Sequence, residues 1–148
     1  MPSTYLSLHY HLVFGTKDRV PSIAFEWRDR LHDYLGGTLR GLNGFPEIIG
    51  GVADHVHLLV GLKATHCLAD VMRELKKASS IWVHEHAGLR PFGWQEGYAA
   101  FTVSATARDA VKKYIVNQGE HHRVKSFREE LVEMLEKAGV TYDPKYLV

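Results

Sequence analysis

The order in which apolar residues change period constrains this chain most. Tyr5–Thr16 alternates and is rich in β-formers, which predicts a strand. Residues 22–42 then carry Ile23, Trp27, Leu31, Tyr34, Leu35 and Leu39 at helical spacing, with Ser22 as the expected cap. Gly36 and Gly37 fall inside this helix and weaken its intrinsic preference. After the turn "NGFP", residues 47–62 read as two strands joined near Gly50–Asp54, a hairpin. Residues 67–87 form the clearest helix, with Leu68, Val71, Met72, Leu75, Ile81 and Trp82 as its apolar stripe. A strand over 98–105 follows, then a helix over 106–120 with Thr106 as cap and Gly119 as stop. A last amphipathic helix occupies 126–140. The order β-α-β-β-α-β-α-α is that of a split βαβ, ferredoxin-like α+β fold. It predicts one antiparallel sheet with two helices on one face. The other face is left for a ligand or for the two C-terminal helices.

At 148 residues the chain fits a single domain, 1–148. Its longest apolar run is far short of the roughly 20 residues a membrane helix needs. The first residues lack a basic leader and a cleavage site, so the expected setting is cytoplasmic. The lone Cys67 excludes an intrachain disulfide and a cysteine-based zinc cluster. Net charge is only +1, but residues 129–148 hold two Lys/Arg against five Asp/Glu, so an acidic tail masks a mildly basic body.

Ten histidines are a high count, and four of them come as alternating pairs within predicted strands. His55 and His57 lie in "ADHVHLLVGL", and His9 and His11 in "LHYHLVF". In a strand, residues two apart share a face about 6.6 Å apart, so either pair can converge on one ion. Spacing alone does not choose between the pairs. In "KKYIVNQGEHH", Tyr114 and Gln118 are four apart and share one helix face. If that face covers a histidine pair, Gln118 adds a carbonyl oxygen to two imidazoles. Such mixed nitrogen and oxygen ligation suits Mg²⁺ or Mn²⁺ acting on a phosphate. Tyr114 would then stand one turn away as a nucleophile, and its phenol, with an ordinary pKa near 10, needs a Lewis acid at the phosphorus. Attack would leave a phosphotyrosine that a free hydroxyl can reverse.

In combination and in this order, "YHLVFGTKDRVP", "DHVHLLVGL", "LADVMRELKKASSIWV", "FGWQEGYAAFTVS", "YIVNQGEHHRVKSFREEL" and "YDPKYL" resemble the HUH-type single-tyrosine transposases. These are the small insertion-sequence enzymes acting on single-stranded DNA, and the repeat-associated tyrosine transposases. The resemblance implies that His55 and His57 are the metal-binding pair, Gln118 the third ligand and Tyr114 the nucleophile. It further implies cleavage and rejoining of single-stranded DNA near hairpin ends through a 5′-phosphotyrosine, with a divalent metal. The relatives work as homodimers in which one subunit's tyrosine serves the other's histidines. His9 and His11 fall on the first strand, where they either line the nucleic-acid face or pack. Arg73, Lys76, Lys77 and Ser80 offer phosphate contacts near one helix end, with Lys17 and Arg19 as further candidates. Trp94 is a candidate for stacking on an unpaired base, whereas Trp82 belongs to the core stripe.

Two other readings compete. A metal-dependent hydrolase would use His55, His57 and a bound water, with no role for Tyr114. A non-catalytic nucleic-acid-binding module would use the sheet alone.

Overall fold

The computed structural model describes residues 3–121 and 124–147. Four strands, β1 (His9–Gly15), β2 (Phe45–Gly51), β3 (His55–Gly61) and β4 (Ala99–Val103), form one sheet in the order β2-β3-β1-β4. Every neighbouring pair is antiparallel. Helices α1 (Phe25–Gly41) and α2 (Leu68–His86) complete the β-α-β-β-α-β unit, so the fold is the expected ferredoxin-like α+β arrangement. Three more helices follow: α3 (Arg108–Val116), the single turn α4 (Gln118–His121) and α5 (Phe127–Lys137). No helix among the described residues is long and apolar enough to cross a membrane.

The pleat of the sheet sorts its residues onto two faces. Leu12 and Phe14 of β1 and Val56, Leu58 and Val60 of β3 pack with Leu31, Leu35 and Leu39 of α1 and Val71, Met72 and Leu75 of α2. Trp82 joins this core, 9% exposed, as its place in the stripe predicts. The intervening residues, His11, Val13, His55, His57 and Leu59, face the other way. There Leu59 and Val103 meet Ile115 of α3, and Val13 meets Phe127, Leu131 and Leu135 of α5. Each buried apolar side chain of α5 contributes about 1.5–3 kcal/mol. A Ser126–Glu129 capping box starts that helix, an addition of about 1 kcal/mol. Packing therefore dominates in holding α5 on the sheet.

Several boundaries differ from the sequence expectation. β1 begins at His9, not Tyr5, because Tyr5 and Leu6 find nothing to cover them and stay exposed. Helix α1 starts at Phe25 after Ala24, and the Ser22 hydroxyl donates to the Val20 carbonyl instead of capping. The helix expected over 106–120 is interrupted: residues 105–107 form a 3₁₀ turn, and α3 ends at Val116, with Asn117 as its C-cap before α4 begins. Thr106 pairs with Ser104 rather than capping α3. Gly36 lies inside α1 against Pro46 and Ile49 of β2, where a Cβ would make ordinary contacts at 3.5–3.8 Å. Gly50 is different: a Cβ there would stand 2.7 Å from the Ile115 carbonyl oxygen, so α3 can lie this close to β2 only over a glycine.

Candidate metal and nucleophile site

The second face of the sheet brings three histidines together between two apolar clusters. His55 and His57 on β3 are fully buried, and His11 on β1 is 6% exposed. His11 Nε2 is 2.7 Å from His57 Nδ1, and His55 Nδ1 is 2.7 Å from Asp54 Oδ1. Both imidazoles are thereby gripped at Nδ1, and both Nε2 atoms turn inward. His9, the other member of the first-strand pair, stays out of this cluster; its Nδ1 is buried near Gly61.

The inward side is closed by α4 and α5. Gln118 Oε1 is 3.0 Å from His55 Nε2. Glu130 Oε1 is 3.1 Å from His57 Nε2 and 3.2 Å from His55 Nε2. The other carboxylate oxygen of Glu130 accepts from the Tyr114 hydroxyl and, at 2.9 Å, from Gln118 Nε2. Phe127 stacks flat on His55, with ring centroids 4.0 Å apart. The two C-terminal helices therefore do cover the free face of the sheet, and they bring Tyr114, Gln118 and the His55–His57 pair into one cluster.

Charge explains why this cluster holds together. Burial by itself would lower the His55 pKa, but the hydrogen bonds and charges of Asp54 and Glu130 outweigh it and raise the value. When Nε2 of His55 carries a proton, Gln118 Oε1 and Glu130 Oε1 are both placed to accept it. His11 goes the other way, pushed down to about 3 by burial and by His57 against a weaker pull from Glu130. It is neutral at physiological pH, so its Nε2 can accept the Nδ1–H of His57. Tyr114 is raised above its ordinary value, chiefly by burial and then by its bond to Glu130, and so remains a phenol.

The donor set fits a divalent cation. His55, His57 and Glu130 form a buried group whose ligand atoms lie within 4.8 Å of one another. Adjacent positions around an octahedral ion with 2.1 Å bonds are about 3.0 Å apart, close to the spacings between Glu130 Oε1 and the imidazoles. Asp54 and His11 lie at the Nδ1 atoms of His55 and His57, the positions from which outer partners orient histidines that bind metals. Gln118 Oε1 adds a fourth donor atom beside this group.

Glu130 was not among the residues expected from sequence. Its signal was there: Phe127, Leu131, Met134 and Leu135 mark the buried face of α5, and Glu130 is a carboxylate inside that stripe, 2% exposed. An acid on an apolar face is expensive unless it has partners.

The residues expected to contact DNA lie elsewhere. Arg73, Lys76, Lys77 and Ser80 belong to α2, on the sheet face opposite the histidines. Arg73 is exposed and paired with Asp70 at 2.9 Å. Lys76 donates to the carbonyls of Gln95, Glu96 and Gly97 at 2.6–3.0 Å, clasping the loop before β4. Trp94 is half-buried against Phe14 and Phe92, and its indole N–H donates to Ser79 Oγ. Lys77 is exposed and Ser80 half-buried. Lys17 and Arg19 follow β1, at the end where Gly15 pairs with His55. Arg19 lines a groove of about 490 Å³ whose other walls include Asp54, Lys125 and Phe127. A second opening, about 270 Å³, is lined by Tyr114 and Glu130 together with Lys125, Glu133 and Lys137.

The chain is similar to several known transposases. The ISDra2 transposase TnpA of Deinococcus radiodurans is 31% identical over 118 residues, which is 75% of this chain and 84% of that relative. A crystal structure of a protein from Deinococcus radiodurans R1, assigned as a transposase, superposes with a TM-score of 0.62 at 27% identity, covering 80% of this chain and 96% of the other. A repeat-associated (REP) tyrosine transposase bound to a REP hairpin shares the fold, with a TM-score of 0.60 at 14% identity over 82% of this chain and 74% of the other. The model of IS200-like transposases matches residues 4–118, from before β1 to the Gln118 that faces His55. The chain belongs to the IS200-like transposase family.

Proposed function

We propose that this transposase cleaves and rejoins single-stranded DNA at hairpin-bearing ends, through a 5′-phosphotyrosine on Tyr114 and with a divalent metal, Mg²⁺ or Mn²⁺. The observation that carries the reading is convergence. The phenol, the Gln118 amide, the Glu130 carboxylate and two inward-facing imidazole Nε2 atoms meet in one buried cluster. His55, His57, Glu130 and Gln118 would hold the cation. Bound there, it would draw charge from the scissile phosphate and so lower the barrier to attack.

The chain's own residues account for the rest. The Tyr114 oxygen forms a bond to phosphorus, the bond from phosphorus to the 3′ oxygen breaks, and the phenol proton leaves as the departing 3′ oxygen gains one. A neutral phenol held by a carboxylate acceptor suits that exchange, since its proton already lies on the path to Glu130 Oε2. Phe127, stacked on His55, keeps water from that side of the pair. Rejoining is the reverse, with an incoming 3′ hydroxyl as nucleophile.

The groove between Arg19 and Lys125 beside Asp54 is the proposed approach of the strand. Lys17, Arg73, Lys77 and Ser80 remain candidate phosphate contacts for a hairpin held away from the cleavage point. Lys76 and Trp94 would act there through the loop they support. That one fold relative carries a REP hairpin favours hairpin DNA as substrate. Assembly as a homodimer is part of the proposal, checked by sedimentation.

The test is incubation of the protein with hairpin-bearing single-stranded oligonucleotides and Mg²⁺ or Mn²⁺, followed by a denaturing gel. A covalent adduct is expected, absent with chelator and absent for Tyr114→Phe, while hairpin affinity stays near wild type. Cleavage without an adduct that survives Tyr114→Phe would establish the hydrolase instead. Binding with neither cleavage nor metal dependence would leave a DNA-binding module.

A further inference from the structure

The turn after β1 holds two consecutive non-glycine residues in the left-handed region, Asp18 at φ 55° and Arg19 at φ 54°. Such backbone is costly and persists only where its surroundings impose it. Here they do. Thr16 is buried; its hydroxyl donates to the Val20 carbonyl and its amide to the Asp54 carbonyl, both at 2.8 Å. The Lys17 amide donates to the Gly93 carbonyl at 2.8 Å, and the Ile23 amide to the Ala53 carbonyl at 2.9 Å. The turn is clamped to residues 53–54 on one side and to the loop before Trp94 on the other.

So held, the turn is a partition between two hollows. One is the groove of Arg19, Asp54 and Lys125. The other is a pocket of about 320 Å³ that the histidine cluster does not use. Its apolar walls are Val20, Leu89, Pro91 and Phe92, with Lys17 and Asp18 as its charged lining. Asp18 lines both hollows. Phe92 is buried and meets Trp94 edge-on, rings 5.0 Å apart, so that wall is fixed. Val20 is 54% exposed, an apolar surface left open beside the groove. Apolar walls with a charged edge suit a flat ligand with apolar faces and a polar rim, and single-stranded DNA carries one on every nucleotide.

We propose that this pocket is a slot for one unpaired base of the strand between hairpin and cleavage point, and that Asp18 selects bases bearing an amino group. The inference rests on the reading that the strand passes along the neighbouring groove. Lys17 and Arg19, on opposite sides of Asp18 in the turn, then face the phosphates that flank the seated base. A carboxylate only accepts hydrogen bonds, so it pairs with the amino groups of guanine, adenine or cytosine. Guanine offers two neighbouring donors on its Watson–Crick edge. Thymine offers one N–H between two carbonyl oxygens, which a carboxylate repels.

The probe is a hairpin oligonucleotide with a single-stranded flank, made as a series in which each flank nucleotide in turn is abasic. Affinity is read by fluorescence anisotropy in Mg²⁺, and adduct by denaturing gel. One flank position is expected to stand out, its abasic form binding on the order of tenfold more weakly. At that position thymine is expected to bind about fivefold more weakly than guanine. A wild-type series in which no abasic position changes affinity overturns the slot, and this arm needs no variant.

Two variants tie the effect to the pocket, with thermal melting in parallel. Asp18→Asn retains a side chain that tolerates left-handed backbone. It is expected to erase the preference for guanine over thymine while the abasic effect remains. Val20→Gln is expected to weaken binding of the intact oligonucleotide but not of the one abasic at the sensitive position, the non-additivity that marks a shared contact. Full additivity, or an unchanged guanine preference in Asp18→Asn, would place the base elsewhere and overturn the assignment. Adduct formation separates this from the strand-transfer reading. Base-selective binding without adduct from the wild-type protein sinks strand transfer and keeps the slot as a DNA contact; adduct without any base-selective position sinks the slot alone.

Discussion

His11 Nε2 lies 2.7 Å from Nδ1 of His57, across the β1–β3 ladder, with both rings buried. A neutral imidazole has one donor and one acceptor nitrogen, so the contact couples the tautomer of His57 to that of His11. When His11 Nε2 accepts from His57 Nδ1–H, Nε2 of His57 is left bare for a cation. His11→Ala should weaken Mn²⁺ affinity by roughly 10–100-fold, the usual effect of losing such an outer partner. Calorimetric titration of the metal checks this, and unchanged affinity would show that His57 orients itself.

Gly50 should tolerate no side chain. A Cβ there would lie 2.7 Å from the Ile115 carbonyl oxygen and 2.8 Å from its Cγ2, and the first of these is backbone. Gly50→Ala is expected to cost about 1–3 kcal/mol, the range for overpacking. It should also tilt α3, so adduct formation should suffer more than the fold. Urea denaturation alongside the adduct assay reads both effects.

Stability should fall on acidification through His32. Burial of this α1 side chain lowers its pKa to about 4, against weaker upward pulls from Asp29 and Asp33 and with a further downward push from Arg28. The folded state therefore keeps His32 neutral while the unfolded chain, with a histidine pKa near 6.5, binds a proton. This contribution is complete above about pH 6.5 and is lost as pH falls toward 4, at up to about 1.4 kcal/mol per unit. His11 acts in the same direction and His55 in the opposite one, so the informative quantity is a difference. His32→Gln should flatten the dependence of the urea midpoint on pH between 7 and 5; an unaltered slope would refute the assignment.

Lys76 and Lys77 are neighbours with opposite expectations. Lys76 ties three successive carbonyls of the 95–97 loop, and burial lowers its pKa to about 8. Lys76→Met should therefore destabilise the protein by about 1–3 kcal/mol. Lys77→Gln should leave stability alone and, if Lys77 meets a phosphate, reduce the salt slope of hairpin binding by about one. Thermal melting and salt-dependent binding of both variants separate the two. Equal behaviour would mean that neighbouring positions on α2 are not divided between loop and ligand.

Local pattern was enough for the split βαβ order, the hairpin before His55, the burial of Trp82 and the side-by-side placement of His55 and His57. Period-two and period-3.6 apolar repeats report which face of an element is buried, and that information is local. The same pattern could not choose between the two alternating histidine pairs, since both have the same spacing. Pairing of β1 with β3 resolved it by handing His11 to His57 and leaving His9 outside. Nor could it place α5, because an amphipathic helix announces its buried face and not the surface it will meet. Folding α5 across the sheet brought Glu130 to histidines more than seventy residues earlier in the chain. It turned a costly buried acid into the group that joins Tyr114 and Gln118 to the two histidines. Sequence alone determined which chemical groups were available and on which faces; only the long-range packing of strands and C-terminal helices decided which of them meet, because contact between distant segments is set by tertiary burial and not by any local period.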